Sequence, residues 1–222
     1  MAEDLVILGA GRSAGDIVWC VEDINRASRR WTLRGFLDDD PAKQGGSVCG
    51  RPILGPLDAA SELADARFLV GMAHYSRPLV RKDVVQRLQL PPERYATLVH
   101  PKAAVAPEVS VGVGTVVFEG TIVCHAARVG DHCFIGHRCV VSHDAVVDDY
   151  ATLASGVIVC GGGRLETGAY AGAGSVIKDG IVVGAGAVAG LASAVFRDVP
   201  PGEAVVGNPA RAVPGDRAGA TA

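Results

Sequence analysis

The residues best suited to chemistry are a histidine beside an aspartate and two glycine-rich runs. His143 and Asp144 adjoin in Val141-Ser142-His143-Asp144-Ala145-Val146. An imidazole titrates near neutrality, so it can take a proton from an attacking amine or hydroxyl, and a neighbouring carboxylate can fix its tautomer. An ordinary exposed turn histidine fits the same residues, and His125, His132 and His137 compete for the role. A metal held by His125, His137 and His143 lacks a carboxylate to complete its ligand set, so no metal is expected. Near the start, Gly9-Ala10-Gly11-Arg12-Ser13-Ala14 follows the apolar run Leu5–Leu8. Glycines there admit a phosphate close to the backbone, and a following helix aims its N-terminus at the anion. Gly9, Gly11 and Ser13 are the contacts expected. Asp38 and Asp39 close the second apolar run, Trp31–Leu37, where a ribose or base is met. A tight turn followed by a solvated acidic loop is the plainer alternative. A dinucleotide site needs roughly twice this much sheet, so a mononucleotide fits better than NAD.

Two kinds of chain must position these residues. Up to about residue 97, apolar runs alternate with amphipathic ones. Strands are expected at Leu5–Leu8, Trp31–Leu37 and Arg67–Val70, and helices up to Ala27 and over 57–64 and 78–88. Pro52–Gly55 reads as a turn. This alternation predicts a small parallel α/β sheet. From Val99 the pattern changes. Every sixth residue to Val195 is aliphatic, and the residue four places later is nearly always small. Neither a helix nor an ordinary strand has a period of six. A short strand followed by a tight turn does, with both positions pointing inward and glycine allowing the turn. Residues 18 apart then become neighbours on successive coils, which stacks His125 under His143, and Glu119, His137 and Ser155 on one another. Cys133 and Cys139 fall at the small inward place and read as packing. Gly161-Gly162-Gly163 lies one coil past His143 and leaves room for a ligand. Stacked coils bury a continuous core.

Composition agrees. Glycine is 29 of 222 residues and aromatics are 5%, so the core is built from small side chains. A net charge of −3 argues against non-specific nucleic-acid binding. No apolar run is long enough to span a membrane, and the apolar stretch near Met1 has no basic region before it, so no signal peptide is expected. Six cysteines without CxxC spacing read as reduced thiols in a cytoplasmic protein.

The hexads resemble the left-handed parallel β-helix of hexapeptide-repeat proteins, preceded by a small Rossmann-like α/β domain. The expected division is 1–97, 98–209 and a flexible tail over 210–222. The chain as a whole is similar to the sialic-acid-cluster and bacillosamine-pathway sugar acetyltransferases, which include the perosamine N-acetyltransferases. The resemblance rests on Gly9-Ala10-Gly11, Gly35-Phe36-Leu37-Asp38-Asp39, Pro52-Ile53-Leu54-Gly55, Val99-His100-Pro101, Ser142-His143-Asp144 and Val206-Gly207-Asn208-Pro209-Ala210-Arg211. It implies a nucleotide-sugar-binding first domain, an acetyl-CoA-binding β-helix and a homotrimer with sites between subunits, acting in polysaccharide biosynthesis. It implies His143 as base, Asp144 as its partner, and Gly161 and Ala173 along the acetyl-CoA site. Thr152 stands where some members carry a second histidine that holds the thioester. Sugar contacts are implied at Gly71 and His74, in a segment that more often carries Asn. The reaction implied is acetyl transfer to the C4 amine of a nucleotide-linked amino-deoxy sugar. An O-acetyltransferase and a non-catalytic nucleotide-sugar-binding protein stay open.

Overall fold

Continuous apolar runs form the first sheet because both of its faces are covered. In chain order the elements are β1 (Glu3–Leu8), α1 (Ala14–Ala27), β2 (Trp31–Leu37), β3 (Ser47–Val48), β4 (Arg51–Gly55), β5 (Arg67–Val70) and α2 (Val80–Leu88) in a computed structural model that describes residues 2–217. Strand β1 lies between β2 and β5, both parallel to it, and β2 pairs in parallel with β4. Leu5 through Leu8 are all buried, and α1 packs Ile17, Val18 and Val21 against this sheet. The segment expected as a turn, Pro52–Gly55, is strand instead. Ile53 pairs with Phe36, which draws it into the sheet. Leu57–Glu62 is a 3-10 turn rather than a longer helix.

From Leu98 the chain winds as a parallel β-helix. Two-residue strands recur every six residues, and up to Val176–Ile177 each pairs in parallel with the strand 18 residues on, as Val140 does with Ile158 and Val146 with Arg164. The aliphatic hexad positions Val117, Ile135, Val141, Leu153, Val159, Leu165, Ile177 and Val183 are fully buried in one core. The turns follow their own rule. Every sixth residue from Gly114 to Ala192 has positive φ, between +52° and +74°, whether it is Gly, Ala, His, Arg, Asp or Tyr. The glycines after the aliphatic residues serve a different purpose. A Cβ on Gly136 would lie 2.8 Å from Ser155 N and 2.9 Å from Leu153 O of the next coil. These glycines are needed for close coil-to-coil approach, not for the turn.

The three β-helix faces differ. Outward residues of one face, Val116, Phe134 and Thr152, are buried under the first domain, and Leu98, Val116, Phe118 and Phe134 share a core cluster with Leu5, Ile17 and Phe36. A second face carries Arg128 and Arg164. The third presents the ladder Ile122, Val140, Ile158, Val176 and Ala194, with Ile122 45% exposed. Beyond the coils, Arg211–Arg217 pairs antiparallel with Glu203–Val206. The expected flexible tail is therefore strand over these residues, because Gly207 and Asn208-Pro209 reverse the chain onto the last coil. The remainder of that tail, 218–222, lies outside the described residues. No helix among the described residues is long and apolar enough to cross a membrane.

Candidate active site

A cleft of about 860 Å³ opens at the C-terminal ends of β1 and β5. Its walls include Gly9, Gly11 and Ser13 from the first turn, Asp38 and Lys43 after β2, and Gly71, Met72, His74 and Arg77 after β5. Parallel strands end here and α1 begins here, so backbone N–H groups and a helix dipole face the cavity. Gly9 has φ +103°, and a Cβ on it would lie 2.7 Å from Met72 Cγ. Gly11 has open space around it. Ser13 Oγ donates to Gly71 O at 2.8 Å, which ties the two sides of the cleft together. His74 lines the rim, and its Nδ1 meets Ser76 Oγ at 2.7 Å.

The two aspartates part company. Asp38 lines the cleft, but its carboxylate is occupied by protein. Oδ2 accepts from Ala10 N at 2.7 Å and from Lys43 Nζ at 2.9 Å, and Oδ1 accepts from Asp40 N at 2.9 Å. Burial pushes this carboxyl up, and those hydrogen bonds with the Lys43 charge overcome it and hold it below the ordinary range. Asp38 thus holds the Gly9–Gly11 turn and Lys43 in place. Asp39 accepts from Leu57 N and pairs with Arg87, outside the cleft lining. The structure thus does not bring Asp39 into the cleft with Asp38: alternation along the extended chain turns its side chain toward Arg87 and Leu57 N. Arg12, Lys43 and Arg77, which the sequence reading left out, give the cleft its cations. Each lies in a different loop, so no spacing joins them before folding.

His143 lies on the turn that joins the charged face to the bare aliphatic face. Its Nδ1 is 2.9 Å from Asp144 Oδ2, and both side chains are more than 60% exposed, at 69% and 67%. Asp144 takes the positive-φ place of its hexad, φ +59°, which sets it beside the ring. The ring lies over Gly161: a Cβ there would be 2.6 Å from His143 Cε1 and 2.8 Å from Nε2. The carboxylate engages Nδ1, so Nε2 is the nitrogen left to accept a proton. His125 stacks one coil before, paired through Nδ1 with Glu108 of the preceding coil. His137 is capped by Trp19, with ring centroids 5.7 Å apart. His132 is buried between Tyr95 and Tyr150, and burial lowers its pKa. Among the described residues no group of three metal-ligating side chains forms. Cys133 and Cys139 are buried, and burial pushes their thiols up to about 12 and about 11, which leaves them unreactive.

Gly161 and Ala173 lie on different edges of the prism, one at each border of the bare aliphatic face. Thr152 lies on neither. Nine residues past His143 is one and a half hexads, so its side chain turns under the first domain. There it is 2% exposed, and its hydroxyl accepts from Arg81 at 2.8 Å. The expected acetyl-CoA contact of the Thr152 side chain is corrected accordingly.

Residues 126–161 match the family model described as bacterial transferase hexapeptide (six repeats). No curated protein matches the chain. Solved structures extend the likeness to nearly all of it. The acetyltransferase domain of PglB from Neisseria gonorrhoeae FA1090, in complex with acetyl coenzyme A, has a TM-score of 0.82 at 24% identity, covering 96% of this chain and 100% of that one. A mutant of perosamine N-acetyltransferase from Caulobacter crescentus, in complex with CoA and GDP-perosamine, has a TM-score of 0.81 at 24% identity, covering 96% and 97%. WeeI from Acinetobacter baumannii AYE has a TM-score of 0.79 at 26% identity, covering 94% and 99%.

Proposed function

We propose that this chain is an acetyl-CoA-dependent N-acetyltransferase acting on the C4 amine of a nucleotide-linked amino-deoxy sugar. The observation that carries the chemistry is the exposed His143–Asp144 pair, Nδ1 to Oδ2 at 2.9 Å, with its Nε2 edge over Gly161. The cleft with Arg12, Lys43 and Arg77 around the Gly9–Gly11 turn suits a nucleoside diphosphate. The shared fold with an acetyltransferase domain bound to acetyl coenzyme A and with a perosamine N-acetyltransferase supports both halves of the reading.

In this mechanism Nε2 of His143 takes a proton as the sugar nitrogen attacks the thioester carbonyl. The tetrahedral intermediate collapses, the C–S bond breaks, and the proton passes to the departing thiolate of CoA. Asp144 keeps Nδ1 protonated and steadies the imidazolium. Backbone N–H groups serve the oxyanion. The products are the N-acetylated sugar and free CoA.

The proposal includes a homotrimer. The bare aliphatic ladder from Ile122 to Ala194 is an apolar stripe that a second copy covers. His143 occupies the one edge of the prism that does not border the face covered by the first domain. Cleft and base of one chain share no residue, and a second copy is what brings them together. Residues 1–97 then bind the nucleotide sugar and 98–209 bind acetyl-CoA. The left-handed winding, the Rossmann-like kinship of the first domain, a cytoplasmic setting and a place in polysaccharide biosynthesis belong to the same proposal.

The test is acetyl-CoA-dependent thiol release with UDP- and GDP-linked 4-amino sugars set against their 4-hydroxy counterparts. Release with an amino acceptor alone supports N-acetylation. Release with the hydroxy sugar in its place moves the reading to O-acetylation, and release with neither removes it.

A further inference from the structure

Arg81, near the start of α2, is 1% exposed and makes no ion pair among the described residues. Burial brings its pKa down to about 10, so it stays a cation at neutral pH. A buried cation without a counter-charge is costly, and a well-packed apolar side chain is usually cheaper. The guanidinium is instead spread across carbonyls of two domains. Nε donates to His132 O at 2.7 Å, and Nη1 donates to Met72 O at 2.7 Å. Nη2 serves Thr152 Oγ1 at 2.8 Å, Ala151 O at 3.1 Å and Tyr150 O. Among the described residues, the carbonyls of Met72, His132 and Tyr150 accept no backbone hydrogen bond. Two successive coils of the β-helix and one wall of the cleft therefore meet at a single rigid fork. Met72 carries the link onward, since its side chain seats against Gly9 in the turn that floors the cleft.

We infer that Arg81 is a positioning residue for the nucleotide site, holding the Met72 wall and the Gly9 turn in register with the β-helix coils at His132 and Tyr150. The inference rests on the reading of the cleft as a nucleoside diphosphate site. Arg81 faces away from the ligand and acts only through Met72. Its loss should therefore weaken the ligand of the cleft selectively, whereas a purely structural staple would lower stability without that selectivity.

Arg81→Met would leave the carbonyls of Met72, His132 and Tyr150 without this donor and loosen the junction as a whole, so the test uses Arg81→Lys, which keeps the charge and loses the fork, with Arg81→Gln in its place should the lysine variant be insoluble. Calorimetric titration with UDP, GDP and CoA is run on the full chain, together with hydrogen exchange over residues 71–77. The expected result is a diphosphate Kd about 10-fold weaker, CoA within about twofold, and faster exchange in 71–77. Diphosphate affinity held near wild type, or equal loss for both ligands, overturns the inference alone. A wild-type chain that binds neither diphosphate overturns the reading of the cleft and this inference with it.

Discussion

At the scale of single residues, residue type is legible in a sequence and partnership is not. His143-Asp144 stands out because the two residues adjoin in sequence, so a carboxylate lies within reach of the ring whatever the fold around them. Asp38 and Asp39 looked equivalent. The fold gives Asp38 to Ala10 N and Lys43, and Asp39 to Arg87 and Leu57 N. Those partners come from loops whose approach depends on sheet order, which local sequence does not encode. Asp38→Ala should accordingly loosen the Gly9–Gly11 turn, lowering stability by roughly 1.5–3 kcal/mol of lost charge-assisted bonding inside the protein, and weaken UDP or GDP with CoA unaffected. Titration calorimetry with each ligand checks it. The same carboxyl makes stability depend on pH. Its pKa is depressed in the folded chain, so its contribution is full above the ordinary carboxylate value of about 4 and is lost as pH falls through the lower folded value. Urea midpoints taken from pH 6 down to pH 3 should fall more steeply for wild type than for Asp38→Asn.

At the scale of elements, the β-helix was the most legible part, because its structural period and its sequence period are both six. The inward aliphatic places could be counted before any fold was known, and Thr115, Thr121 and Ser175 at the small inward places are indeed buried. The glycines were legible as a set but not by cause. A glycine that makes a turn and a glycine that makes room for the next coil look alike in a sequence. Substitution separates them. Gly186 has φ +63° with open space around it, so Gly186→Ala should cost about 1–2 kcal/mol of left-handed strain. Gly136→Ala should cost roughly 3 kcal/mol, because its Cβ must push the backbone of Ser155 away. Equal shifts in chemical denaturation for the two variants would contradict the assignment. The strand at Arg51–Gly55 was missed because Pro52 reads as a breaker, although on a strand near the sheet edge it loses little.

At the scale of the whole molecule, the passage from the first sheet to stacked coils was visible in the change of period near residue 98. The assignment of faces was not. Which face is covered depends on Phe118 and Phe134 packing with α1, and on Arg81 of α2 reaching carbonyls of the coils 51 or more residues away. Once that face is known, the exposed ladder at Ile122, Ile158 and Val176 is the surface that the proposed trimer would use. Ile158→Asp should place a charge in that interface, and sedimentation should show the trimer giving way to monomer at micromolar concentration. A wild-type chain that sediments as a monomer would remove the trimer from the proposal.

In the proposed mechanism His143, and not its stacked neighbour His125, moves the proton. General-base catalysis contributes about 10²- to 10⁴-fold, or roughly 3–5.5 kcal/mol of barrier. The direct measurement is kcat and KM for acetyl-CoA-dependent thiol release by wild type, His143→Ala, Asp144→Asn and His125→Ala on one accepted amino sugar. His143→Ala should lose kcat by that factor with KM for both substrates little changed, since the ring acts mainly in the transition state. Asp144→Asn should lose about 10-fold, and His125→Ala less still. A His143→Ala enzyme that retains more than about half of wild-type kcat at neutral pH, or a His125→Ala enzyme that proves the more damaged, would contradict the account.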